Sequence, residues 1–214
     1  MSAEGGNEVT IAASDLDPEQ TYRLLSGVVV PRPIAWITTV DEAGVVNLAP
    51  FSCYTFVSTA PPLIGVNVGR KAGTLKDTGT NIERSGEFVV NVPAEEHSEL
   101  VHLSAVEHPP ATSEVDLLGL ETSTSRLVTP PRLALAPLAM ECRWQQTVPF
   151  GRTGSQFMVG EVVCFHVRED LWVDGKVDTP TLRPLARLGG PTYATIGEPV
   201  THRGIAQTAK SVIP

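Results

Sequence analysis

Three short segments carry side chains whose types and spacing could do chemistry. The first is Pro31-Arg32-Pro33-Ile34-Ala35-Trp36-Ile37-Thr38-Thr39. Two prolines restrict the entry to a strand and leave Arg32, between them, few conformations. A pre-ordered guanidinium suits an anionic or planar partner; it equally suits a surface bend. The second is Asn47-Leu48-Ala49-Pro50-Phe51-Ser52-Cys53-Tyr54-Thr55-Phe56-Val57-Ser58. It sets small polar groups and a proline into an apolar strand, which offers hydroxyls and backbone atoms to a ligand laid along it. An irregular edge strand would have the same composition. The third is Arg70-Lys71-Ala72-Gly73-Thr74-Leu75-Lys76-Asp77-Thr78. Thr74, Lys76 and Thr78 fall around the first turn of a predicted helix, where unpaired N–H groups and the positive dipole end favour an anion. Lys76 adds a full charge and the threonines add donors, while Asp77 reads as a cap or brace. A solvated, well-capped helix start is the plainer alternative.

These segments need a framework. Asp15 or Asp17 is placed to cap a short helix running through Leu24 and Leu25, with Pro18 in its first turn. Ile34–Val40 reads as a strand, Asp41–Gly44 as a hairpin loop, and Val45–Leu48 as the return strand, broken at Pro50. Phe51–Val57 and Leu63–Val68 are further extended segments around a turn at Ser58–Pro62. A helix capped by Thr74 and ended by Gly86 follows, with Gly79 weakening it by up to ~1 kcal/mol relative to Ala. Then come a strand at Glu87–Val92 and a helix at Ala94–Ala105 with Leu100 and Leu103 inward. Residues 106–137 read as loops with short strands such as Leu117–Glu121. Leu138–Val148 and Gln156–Arg168 are the longest strands. Leu171–Val177 reads as an edge element and Tyr193–Ile196 as the last strand. Many short strands with two or three helices point to a barrel or sandwich. Residues 1–14 read as a leader, 15–196 as one domain, and 197–214 as an irregular tail placed to reach a partner subunit.

Composition narrows the function. A net charge of −8 argues against a nucleic-acid surface and against anionic lipid. No apolar run approaches the ~20 residues of a membrane span, and the acidic N-terminus lacks a signal-peptide core. Three widely spaced cysteines imply reduced thiols and a cytoplasmic protein. There is no strand-borne G-x-G-x-x-G, no G-x-x-x-x-G-K-[ST] and no G-x-S-x-G, so dinucleotide, P-loop and serine-hydrolase sites lack their signatures. His97 and His102 would point about 140° apart on a helix, so no metal site is expected from them, and His166 reads as a half-buried structural residue of a strand.

Taken in order, Tyr22-Arg23-Leu24-Leu25, Pro31-Arg32-Pro33-Ile34-Ala35-Trp36, Gly44–Ser52, Pro61-Pro62, Lys76-Asp77-Thr78, Asn81-Ile82, Gly86–Asn91, Gly160-Glu161-Val162-Val163 and Leu185–Tyr193 resemble the flavin reductase-like domain family over roughly residues 20–195. The resemblance implies a mainly β, Greek-key, FMN-binding split β-barrel with a few peripheral helices. It implies FMN held noncovalently at a homodimer interface, with the Trp36–Thr38 strand and the Asn47–Ser52 segment along the ring and ribityl chain. Ser52, Lys76 and Thr78 would hold the phosphate, and Arg187 and Tyr193 would close the site. The implied cofactor-binding set is Arg32, Trp36, Thr38, Asn47, Ala49, Pro50, Ser52, Cys53, Lys76, Asp77, Thr78, Arg187 and Tyr193, with no catalytic residue and no metal ligand. NADH or NADPH would be the hydride donor, and a flavin-dependent oxygenase is the implied partner. A flavin carrier without turnover, a flavoenzyme with a dedicated small substrate, and a haem-binding or purely structural barrel are the alternatives.

Overall fold

The computed structural model describes residues 8–71, 73–109 and 112–204. Residues 1–7 of the expected leader and 205–214 of the expected tail lie outside them. Helix α1 spans Pro18–Val28. Asp17, not Asp15, caps it. The Asp17 carboxylate accepts the Gln20 N–H at 2.8 Å, and the Gln20 side chain accepts the Asp17 N–H at 3.0 Å. This reciprocal capping box, with Pro18 behind it, fixes the helix start.

Strands β1 (Arg32–Pro33), β2 (Ala35–Val40), β3 (Val46–Phe51), β4 (Tyr54–Thr59) and β5 (Pro62–Val68) follow. Helix α2 (Asp77–Ser85) and strand β6 (Glu87–Val92) come next. Helices α3 (Ser98–Leu103) and α4 (Glu114–Leu117), the long strands β7 (Leu138–Phe150) and β8 (Ser155–Val167), and the short β9 (Ala186–Arg187) and β10 (Tyr193–Ala194) complete the framework. The main sheet is antiparallel, in the order β3-β2-β6-β7-β8-β5-β4. Its two ends share one core: Ala35, Ile37 and Phe51 from one side meet Ile64, Val66 and Val68 from the other, around Phe88, Cys142 and Met158. The sheet therefore curls around its apolar face without closing. A second cluster, with Trp36, Leu48, Val101, Val115 and Leu133, covers the outer face of β2 and β3.

The local departures from expectation have physical causes. β3 runs through Pro50 to Phe51, because β3 is a sheet edge where a missing donor costs no ladder bond. After a bend at Ser52 and Cys53 the next strand begins at Tyr54. Thr74 does not cap α2: it pairs with Lys71 in a small hairpin, and the cap position falls to Lys76. Gly86 ends α2 in the left-handed conformation, as expected. Gly79 is a matter of space, since a Cβ there would sit 2.8 Å from Leu75 Cδ2. The helix expected at Ala94–Ala105 opens with a 3-10 turn at Glu95–His97. That turn shifts the phase, so Val101 is enclosed and Leu103 is exposed. Leu117 closes α4 rather than opening a strand, and the short strand lies at Thr122–Ser123.

Behind β7 the carboxylate of Glu141 is wholly enclosed. It accepts the amides of Arg126 and Leu127, each at 2.6 Å, and so pins that loop to the sheet. Burial alone would raise its pKa. The Arg126 amide, His166 and the Leu127 amide outweigh burial and hold it below the usual carboxylate range.

Candidate cofactor-binding cleft

A cleft of about 320 Å³ opens along the free edge of β3, within the range of about 300–1,000 Å³ common to small-molecule sites. One wall is Asn47, Ala49 and Pro50; the second is Thr74–Thr78 at the start of α2; the third is Ser104–His108 beyond α3, with Glu114 of α4. Elementary backbone geometry builds the first wall. The Leu48 N–H points away from β2 and is accepted by the Glu114 carboxylate at 2.9 Å. Alternation along an antiparallel strand then turns the nitrogen of Pro50 outward too, where no hydrogen is needed.

The second wall is the start of a helix. Lys76, at the cap position, has an extended backbone and gives no side-chain cap to the amides that follow. Its ammonium lies 5.8 Å from the centre of the Phe51 ring. Thr78 is enclosed, and its hydroxyl accepts the Asn47 side-chain amide at 2.9 Å. Asn81 and Thr39 extend this network at 3.1 Å, so the first turn of α2 is fastened to β2 and β3 by side-chain hydrogen bonds. The result is a rigid patch of amide donors and one ammonium, facing a strand edge.

Of the thirteen residues singled out from the sequence, Asn47, Ala49, Pro50, Lys76, Asp77 and Thr78 meet on this cleft. The others do not line it. Trp36 is wholly enclosed and donates its indole N–H to Ser104 Oγ at 2.8 Å, so its ring belongs to the core. Thr38 is enclosed and donates to the Pro131 carbonyl at 2.5 Å. Arg32 is buried and donates to the carbonyls of Ser26, Val29 and Leu188 at 2.6, 2.8 and 2.7 Å, and to Ser52 Oγ at 3.4 Å. Its guanidinium thus ties α1 to the late chain. Cys53 is exposed.

Arg187 and Tyr193 come together with His102. The Arg187 guanidinium carbon lies 4.5 Å from the centre of the Tyr193 ring, and Arg187 also donates to the Tyr193 hydroxyl. The same hydroxyl lies 3.3 Å from His102 Nδ1. Burial raises the Tyr193 pKa, opposed by Arg187, so the phenol stays protonated. His102 stands two residues before Ser104, the first residue of the third wall. The third wall went unread because residues 104–114 carry no apolar periodicity. One signal was present: Ser113 and Asp116 frame a helix start, and Ser113 Oγ accepts the Asp116 amide at 3.3 Å.

The family described as "Flavin reductase like domain" matches residues 26–181. The chain belongs to the flavin reductase-like family. A relative from Halalkalibacterium halodurans is 46% identical over 188 residues, covering 86% of this chain and 90% of its own. The solved structure of nitrilotriacetate monooxygenase component B from Bacillus cereus superposes with a TM-score of 0.89 at 35% identity, covering 92% of this chain and 100% of that one. A split barrel domain protein from Shewanella frigidimarina aligns with a TM-score of 0.79 at 20% identity, over 90% of this chain and 96% of its own, a likeness of fold. In this flavin reductase-like chain the curled, incompletely closed sheet is therefore a split barrel, and its edge strand and second helix frame the cleft.

Proposed function

We propose that this flavin reductase-like protein binds FMN in the cleft and uses NADH or NADPH to reduce it, in the cytoplasm, as a homodimer. The observation that carries the reading is the uncapped start of α2 with Lys76 on it, facing the free edge of β3. The donor set fits a phosphate: successive helix amides, the positive end of the helix dipole and an ammonium converge from one side. Asn47 and Thr78, already fastened to each other, hold the patch still, so little ordering is left to the binding step. Ala49 and Pro50 give a flat apolar surface beside the phosphate end, suited to the ribityl chain and the ring edge. Hydride transfer needs no side-chain acid; the chain's work is to bind, orient and exclude water. FMN held by Lys76, Thr78 and the helix amides would supply the redox chemistry, as an acceptor for the hydride of a reduced nicotinamide. Ser52, Arg187 and Tyr193 belong to the same proposal as residues that shape the rim.

Similarity to a monooxygenase component B favours a reductase that serves a separate flavin-dependent oxygenase. Titration with FMN tests the site. Lys76→Ala is expected to weaken binding by more than about tenfold, because a charge-assisted phosphate contact is lost; equal affinity would refute the assignment. Consumption of NADH or NADPH with FMN present, against none without it, separates a reductase from a carrier.

A further inference from the structure

A second constellation lies away from the cleft, on the opposite strand pair. Glu141 of β7 faces Cys164 of β8 across the ladder, and His166 is two residues further along the same face. One donor atom from each lies within 4.8 Å of the other two. His166 Nε2 is 2.6 Å from Glu141 Oε1 and 3.6 Å from Cys164 Sγ.

Two kinds of chemistry use a thiol, an imidazole and a carboxylate. A nucleophile relay needs the imidazole to face the thiol with one nitrogen and the carboxylate with the other. Here both partners face the same nitrogen, so the three groups form no chain. They converge on a point instead, which is the arrangement of a metal site. From this we propose that Glu141, Cys164 and His166 form a zinc-type site, with the fourth position open to water.

The distances suit that ion. Zinc bonds of about 2.3 Å to sulfur and about 2.0–2.1 Å to nitrogen, at the tetrahedral angle, put the two ligand atoms about 3.6 Å apart, which is the separation found between Cys164 Sγ and His166 Nε2. The Glu141–His166 contact is a hydrogen bond and opens by about 0.7 Å when the ion takes its place, to reach the edge length expected for an oxygen and a nitrogen ligand. On binding, the Cys164 thiol and the His166 Nε2 each give a proton to solvent. The amides of Arg126 and Leu127, both on the Glu141 carboxylate, supply the outer support that metal-bound carboxylates ordinarily have. Glu141 is enclosed, while Cys164 and His166 are partly exposed, so the ion has an entry route. The site would clamp β7, β8 and the 126–127 loop together.

Cobalt(II), added to chelator-stripped protein, reads this directly. The expected result is one equivalent bound, a near-ultraviolet thiolate-to-cobalt absorption band, tetrahedral visible bands, and displacement by zinc. Cys164→Ser is expected to abolish the near-ultraviolet band, and His166→Gln to weaken cobalt binding at least about tenfold. Both replacements keep a polar group at a partly exposed position, so folding is preserved. Cys53→Ser removes an exposed thiol elsewhere and is expected to leave the band intact. Absence of a saturable band in the unaltered protein overturns the proposal. So does a band that survives Cys164→Ser, or one that disappears with Cys53→Ser. None of these outcomes depends on flavin.

Discussion

Arg32 and Lys76 are cations at the two points where the sequence suggested an anionic partner, and the fold treats them oppositely. Lys76 stands exposed at the cleft and gives the helix it opens no side-chain cap. Arg32 is buried and donates to three backbone carbonyls. An ammonium cannot span three carbonyls set around a planar fork. Arg32→Lys is therefore expected to cost about 2–4 kcal/mol, from buried acceptors left unpaired, read as a lower urea midpoint with FMN affinity little changed. His97 gives a pH signature. Its Nδ1 accepts the Ala94 amide at 3.1 Å, which requires that nitrogen to be unprotonated. Burial lowers its pKa, Glu96 opposes and Arg168 assists. The folded chain thus takes up the proton less readily than the unfolded one. Stability from this group is complete above the usual value of 6.5 and is lost as pH falls from there through the depressed folded value. Unfolding curves at stepped pH should show that decline, and His97→Gln should flatten it. Residue chemistry was legible where a side chain's task is local: Asp17, Pro18 and Gly86 do what their types suggest. Trp36 and Arg32 were conspicuous for the same reasons, yet their partners Ser104 and Leu188 lie far along the chain, and no local pattern reveals such pairings.

At the scale of elements, the long strands were legible because β-branched and apolar runs persist over many residues, and β7 and β8 begin within a residue of expectation. Errors gathered where short elements lean on distant ones. Thr74 has good capping chemistry, but the hairpin with Lys71 claims it. The 3-10 turn ahead of α3 rotates that helix enough to exchange Leu103 for Val101. The cleft's third wall comes from a segment whose place is set by the chain's path over β3, with Glu114 closing on Leu48. Packing between elements is close where β8 passes Phe88. A Cβ on Gly160 would sit 2.5 Å from the ring of Phe88, itself wholly enclosed. Gly160→Ala should destabilise by about 1–3 kcal/mol, the usual cost of overpacking a filled core, measured as a fall in thermal midpoint. A neutral result would mean that the strand pair can spread to admit a methyl group.

For the whole molecule, α1 offers the exposed apolar face that the proposed homodimer needs. Tyr22, Leu25 and Val28 are 69%, 55% and 70% exposed, and Ser26 is the one buried residue of the helix. An eleven-residue helix is marginal on its own propensity and ordinarily depends on a packed face. A second copy lying on this face would supply one. Light scattering is accordingly expected to give the mass of a dimer for the unaltered protein and of a monomer for Leu25→Glu; a monomer mass for the unaltered protein would refute the proposed dimer, and a dimer mass for both would place its interface elsewhere. The general architecture was legible because strand number and spacing limit it to a few forms. The degree of closure was not, because it depends on how both ends of the sheet meet one core.

An open barrel has two unsealed margins, and they are defended unequally. Along β3, Pro50 withholds a donor and Glu114 occupies the Leu48 amide, so no foreign strand can dock there in register. Along β4 the run Tyr54–Thr59 carries no charge and no proline, and it turns Phe56 and Val57 outward, relieved by a single irregularity between Phe56 and Ser58. Uncharged six-residue runs of this kind template fibril growth once exposed. Heat-driven clumping of this protein should therefore seed at β4, leaving the β3 side of the barrel, with its cleft, the last to be recruited.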